Sequence, residues 1–172
     1  GLIDVARLYK AHADGGTIVF GNLEAHHHAV ARLCRTLEGK LSSRIQANIY
    51  MTPGGDAQGF NPHYDSHDVF VLQIEGKKHW AIYDNRRALP FRGQGFDPQV
   101  DGHTEEPTQV FDLEPGDILY VPRGIMHDAR TGSEGSLHIT VGVLCVSWME
   151  FLLEAMAQVG VDDPAFRGSL PP

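Results

Sequence analysis

Residues 61–70 read Asn61-Pro-His-Tyr-Asp-Ser-His-Asp-Val-Phe70. Within this stretch the pair His63 and Asp65 governs how the rest of the chain is read. Side chains two apart in an extended segment leave on the same side of the backbone. An imidazole and a carboxylate then converge from one side, as a metal requires of its ligands. The pair alone is weak evidence, because the chain holds 10 His and two solvated loop side chains would also account for it. His67 shares the same face in a continuing strand and is a rival ligand. Asp68 reads as shaping the start of the strand.

Downstream the order of elements adds weight. An apolar strand over 68–75 is followed by a turn at Gly76 and a hairpin partner over 78–83. A long polar loop rich in Gly and Pro covers 84–107. Then come a strand over 108–113, the turn Glu114-Pro115-Gly116, a strand over 117–121, the turn Pro122-Arg123-Gly124, His127, and a strand over 137–146. Many short strands punctuated by Gly and Pro indicate an all-β sandwich or barrel. A jelly roll with this order brings His63, Asp65 and His127 to the mouth of its barrel. Two His and one carboxylate leave coordination positions open, the pattern of non-haem Fe(II) oxygenases.

Upstream, 2–12 reads as a short helix ending at Gly15-Gly16, and 17–20 as a short strand. Val30, Leu33, Cys34 and Leu37 have helical spacing, which predicts a helix over 25–38 stopping at Gly39. His26, His27 and His28 open that helix, point in three directions and read as surface. Residues 44–52 alternate, with Ile45, Ala47, Ile49 and Met51 on one face and Gln46, Asn48 and Tyr50 on the other. At the far end, 148–159 is helical. Its apolar residues Trp148, Phe151, Leu152, Ala155, Met156 and Val159 form a broad face that needs cover from the barrel or a second subunit.

Composition bounds the rest. The chain has 172 residues, 42% hydrophobic and 21% charged, which is ordinary for one globular domain. We divide it into a barrel with its N-terminal helices over 1–147 and a C-terminal helix and tail over 148–172. The formal charge of −8 disfavours binding nucleic acid, which needs a basic face. Cys34 and Cys145 lie far apart in apolar stretches and read as small buried hydrophobes, pointing to a reducing, cytoplasmic compartment. The longest run without charged residues or His, 139–149, is short of the ~18 apolar residues of a membrane span. The chain opens at Gly1 rather than Met, which suggests a processed or partial chain. Gly-rich phosphate loops, a nucleophile elbow and Cys-x-x-Cys are lacking in the sequence.

Two stretches carry a family resemblance. Asn48-Ile-Tyr-Met-Thr-Pro-Gly-Gly, with His63-Tyr-Asp-Ser-His-Asp-Val-Phe-Val-Leu-Gln-Ile-Glu-Gly-Lys-Lys-His-Trp80, resembles the JmjC-type, cupin-like ribosomal oxygenases. Leu113-Glu-Pro-Gly-Asp-Ile-Leu-Tyr-Val-Pro-Arg-Gly-Ile-Met-His127 extends the likeness. The resemblance implies a double-stranded β-helix, with flanking helices, that binds Fe(II) and uses 2-oxoglutarate and O2. It places the ligands at His63, Asp65 and His127 and favours Asp65 over His67. It also implies dimerisation through helices that follow the barrel.

A strand over 78–83 puts Lys78 on the face of Trp80 and Ile82, pointing inward. A buried ammonium is costly unless paired, although a solvated lysine beside Lys77 is the ordinary alternative. The resemblance gives Lys78 the distal carboxylate of 2-oxoglutarate. Asn48 and Tyr50, and His138 with Thr140 on the last strand, are further candidates to line the cosubstrate pocket. Gly142 departs from relatives that carry a hydroxyl there. The implied substrate is a protein or peptide side chain, with Arg or His of a ribosomal protein leading and a small metabolite as the alternative. Asp97, Asp101, Glu105 and Glu106 in the long loop form an expected acidic rim for a basic partner. A metal-dependent cupin that needs no 2-oxoglutarate, or a metal-binding module, would use the same ligands without Lys78.

Overall fold

The computed structural model describes residues 3–102 and 106–170. Helix α1 (Val5–Ala13) and strand β1 (Ile18–Phe20) lead to helix α2 (His28–Leu41). Strands β2 (Arg44–Thr52), β3 (Asp68–Asn85), β4 (Gln109–Leu113), β5 (Ile118–Val121) and β6 (Ile125–Leu144) follow, then helix α3 (Trp148–Asp162).

Two long strands make the architecture. β3 and β6 run antiparallel from Asp68 opposite Val143 to Asn85 opposite Ile125. Their register slips between Gln73 and Glu75, Gly76 and Lys78, and Ile82 and Asn85. Such irregularities bend strands, so each long strand serves two sheets. One sheet holds β1, β2, the second half of β6, the first half of β3 and β5. The other holds the first half of β6, the second half of β3 and β4. Side chains of both sheets line one cavity, so the sheets face each other as a double-stranded β-helix, or jelly roll.

The expected hairpin at Gly76 is therefore a bulge, and the chain does not reverse there. Gly76 has φ +64°, and a Cβ would lie 1.9 Å from the Gly135 carbonyl oxygen. The Gln73 amide donates to the carbonyls of Glu75 and Gly76 and to Ser136 Oγ, at 2.8, 3.1 and 2.8 Å. It satisfies groups that the bulge removes from the ladder. Similarly, the last strand begins at Ile125, so His127 lies within it.

Helix α2 also differs at both ends from its predicted span. A 3-10 turn (Leu23–Ala25) precedes it, and His27 caps it by accepting from the Val30 N–H at 3.4 Å. It runs through Gly39 and stops at Ser42, whose φ of 48° and N–H bond to Glu38 O end the helix. Its apolar stripe is as expected. Val30 and Cys34 pack on Ile45, Ala47, Val141 and Val143, the outward face of β2 and β6. With period two, the intervening residues turn inward, toward a second cluster of Val69, Val71, Trp80 and Leu113.

Helix α3 opens on a capping box between Ser147 and Glu150. None of its residues is buried, and Trp148 is 79% exposed. The barrel thus leaves its apolar side chains uncovered. Among the described residues no helix is long and apolar enough to cross a membrane.

Candidate active site

His63, Asp65 and His127 each present a ligand atom, all within 4.8 Å of one another. Residues 61–67 are not part of a regular strand. An isolated bridge ties them to β6, in which the His63 N–H donates to His127 O at 3.1 Å and the His127 N–H to His63 O at 2.8 Å. The Gly124 N–H donates to Asp65 O at 3.0 Å. This lays the His-x-Asp loop against the start of β6, so ligands far apart in sequence meet.

Both imidazoles are oriented by backbone. His63 Nδ1 lies 2.8 Å from Asn61 O and His127 Nδ1 lies 3.0 Å from Ile125 O. A carbonyl only accepts, so each Nδ1 carries the proton and each Nε2 is left free as a ligand. His127 Nε2 is 3.9 Å from Asp65 Oδ2. Burial, then the nearby His63, lower the His127 pKa, which favours the neutral ligand form. This set suits a first-row divalent ion.

The three ligands lie along a cavity of about 330 Å³ that runs into the barrel. Lys78 lines it and is only 4% exposed. Its Nζ donates to Thr52 Oγ1 at 3.0 Å, and Thr52 in turn meets Thr17 Oγ1 at 3.0 Å. Among the described residues no carboxylate pairs with this ammonium. Burial pushes its pKa down to about 8. A buried cation with unused donors beside a His-Asp-His cluster fits an anionic chelate bound to a metal.

The polar wall follows the strand register. Tyr50 stands opposite His138 and Asn48 opposite Thr140 on β2 and β6. Tyr50, His138 and Thr140 line the cavity. The Tyr50 and His138 rings stack at 4.8 Å. Burial, and then the Lys78 charge, hold His138 down to about 3, so it is neutral. Its Nδ1, like Trp80 Nε1, is buried with no hydrogen-bond partner among the described residues. Burial raises the pKa of the Tyr50 phenol, and the nearby Thr140 and Asn48 side chains oppose that shift. Asn48 does not line the cavity; its Oδ1 accepts from the Asn22 N–H at 3.2 Å.

His67 is not part of the metal cluster. Its ring lies against Gly142, where a Cβ would come within 2.9 Å of Cδ2 and 3.0 Å of Nε2. The imidazole fills the space a hydroxyl side chain would need. His26, His27 and His28 are exposed, as expected.

The acidic rim is thinner than expected. Asp101 is 8% exposed and binds Arg87 at 3.0 Å. Asp97 and Glu106 are exposed, and Glu105 lies outside the described residues. Thr52, the direct partner of Lys78, was overlooked in the sequence although it continues the face of Asn48 and Tyr50. Phe60 at the cavity edge, edge-on to Tyr50 at 6.2 Å, carries no pattern that would single it out.

Known proteins resemble this chain in sequence and in fold. Residues 23–151 match the model of the JmjC domain. Ribosomal oxygenase 2 of Bos taurus is 36% identical over 162 residues, covering 90% of this chain and 34% of that protein. The bifunctional lysine-specific demethylase and histidyl-hydroxylase NO66 of Dictyostelium discoideum is 43% identical over 139 residues, 78% of this chain and 26% of its own length. YcfD, a ribosomal oxygenase from Escherichia coli solved with cobalt and 2-oxoglutarate, superposes with a TM-score of 0.61 at 25% identity, over 91% of this chain and 38% of that one. This chain spans about a third or less of the two curated relatives' lengths. With most of its length matched and the strand order of a jelly roll, the chain belongs to the JmjC domain family.

Proposed function

We propose that the chain is the catalytic barrel of an Fe(II)- and 2-oxoglutarate-dependent oxygenase that hydroxylates a protein side chain. The supporting observation is Lys78, buried with no counter-charge among the described residues, in the cavity that holds His63, Asp65 and His127. A metal-dependent cupin with no dicarboxylate to bind has no use for that cation. Relatives named as ribosomal oxygenases and a histidyl-hydroxylase, and a neighbour solved with cobalt and 2-oxoglutarate, support the same reading.

Fe(II) with 2-oxoglutarate, when bound, supplies the O2 chemistry that hydroxylates a C–H bond. The remaining work falls to this chain. Lys78 binds the distal carboxylate, and Thr52 fixes the direction of its ammonium. Val69, Val71 and Trp80 keep water from the inner cavity. Neutral His138, stacked on Tyr50, offers hydrogen bonds without adding charge. The leading substrate is Arg or His of a ribosomal protein, a basic partner suited to a chain of charge −8, and nucleic acid is not a partner. A second copy covers α3, making a homodimer.

Incubation with ribosomal proteins, Fe(II), 2-oxoglutarate and O2 tests the substrate. One residue should gain a single oxygen atom, in step with succinate. Succinate formed only with small molecules would move the substrate to a metabolite.

A further inference from the structure

Between the two ligands of the His63-Tyr64-Asp65 triplet lies Tyr64, which turns the opposite way and is only 2% exposed. Its hydroxyl donates to Asp101 Oδ2 at 2.9 Å. Asp101 also accepts from Arg87 at 3.0 Å and from the Asp97 N–H at 3.1 Å. Phe96 stands edge-on to the Tyr64 ring at 5.5 Å. The far side of the long loop is thereby folded around one phenol.

The same loop also reaches the triplet indirectly, through Gly124. Gly124, whose N–H holds Asp65 O, sits so close to the Arg87 carbonyl that a Cβ would come within 2.0 Å of it. Arg87 thus contributes its backbone beside Gly124 and its guanidinium to Asp101. Residues 61–67 have no regular strand to fix them. Their position rests on the His63–His127 bridge, on Gly124, and on Tyr64.

We propose that Tyr64, Asp101 and Arg87 form a positioning device that sets the separation of the ligand atoms of His63 and Asp65. This inference rests on the metal-binding reading above. Residues 87–101 of the loop are then a fixed buttress of the metal site and Tyr64 is their contact point. The Tyr64 hydroxyl and the Asp101 carboxylate hold the ligand loop from behind, as hydrogen-bond partners outside a metal's own ligands do when they fix its geometry.

Anaerobic Co(II) titration of the wild type, Tyr64→Phe and Asp101→Asn tests it, reading both affinity and the ligand-field absorption bands. Tyr64→Phe keeps the ring and its packing and removes only the hydroxyl. It should bind Co(II) about tenfold more weakly with shifted bands, and Asp101→Asn up to about a hundredfold more weakly. The double variant should be no worse than Asp101→Asn, because both changes break the same contact. Val30→Ala, a loss of packing under α2, serves as the control, lowering Tm while leaving Co(II) affinity and bands unchanged. Variants that lose Tm but bind Co(II) as the wild type does, with the same bands, would overturn the positioning role. A wild type that binds no Co(II) would overturn the metal site itself, and this inference with it.

Discussion

Burying the Lys78 ammonium without a carboxylate is unfavourable, and a bound dicarboxylate offsets that cost. Lys78→Ala should therefore weaken 2-oxoglutarate binding roughly tenfold to a hundredfold, since a hydrogen bond to a charged group contributes ~1.5–3 kcal/mol. Metal content should stay intact, and isothermal titration of the metal-loaded protein reads both. The pH dependence follows from the pKa near 8, against an ordinary 10.5. Between those values the unfolded chain holds the proton that the folded cavity has released, so stability of the cosubstrate-free protein rises with pH across the window. In the proposed role the ammonium holds the cosubstrate, so affinity should fall by about tenfold per pH unit above pH ~8. An affinity flat across the window would contradict this assignment. Lys78, Tyr50, His138 and Thr140 were legible because period-two alternation marks an inward face. Tyr64 was not, because a residue between two ligands looks like a spacer until the loop partner Asp101, far along the chain, is seen against it.

The long strands behave as elements in a way their sequence hides. Gly76 looks like a turn, yet only the Gly135 carbonyl on the facing strand, next to the register partner Ser136, shows why a bulge is required there. Gly76→Ala places a Cβ against the Gly135 carbonyl at a positive φ and should destabilise by ~2 kcal/mol or more. A lowered urea midpoint with an unchanged m-value checks it. Helix α3 was legible as an apolar helix, since its spacing and capping box are local. What covers it is not encoded locally. The reading of a second copy predicts a dimer by light scattering, and Phe151→Asp should shift it to monomer, because a charge on an apolar contact surface is unfavourable. A monomer at all concentrations would count against the dimer.

For the molecule as a whole, the jelly roll was legible from strand order and turn residues, and the family from motif order. The continuity of β3 and β6 was not, because bulges and hairpin turns use the same residues. Asp101 departs from the expected acidic rim for a related reason. Acids in a polar loop look solvated, whereas Asp101 is spent inside on Tyr64 and Arg87. In the proposed oxygenase the His63, Asp65 and His127 cluster and the buried Lys78 serve one reaction. Loading the protein anaerobically with Fe(II) and 2-oxoglutarate, admitting O2 and measuring succinate tests it most directly, with the double variant His63→Ala, Asp65→Ala in parallel. Succinate should form with the wild type and none above background with the folded double variant, which should also retain no metal. Equal succinate from both, or none from the metal-loaded wild type, would contradict it.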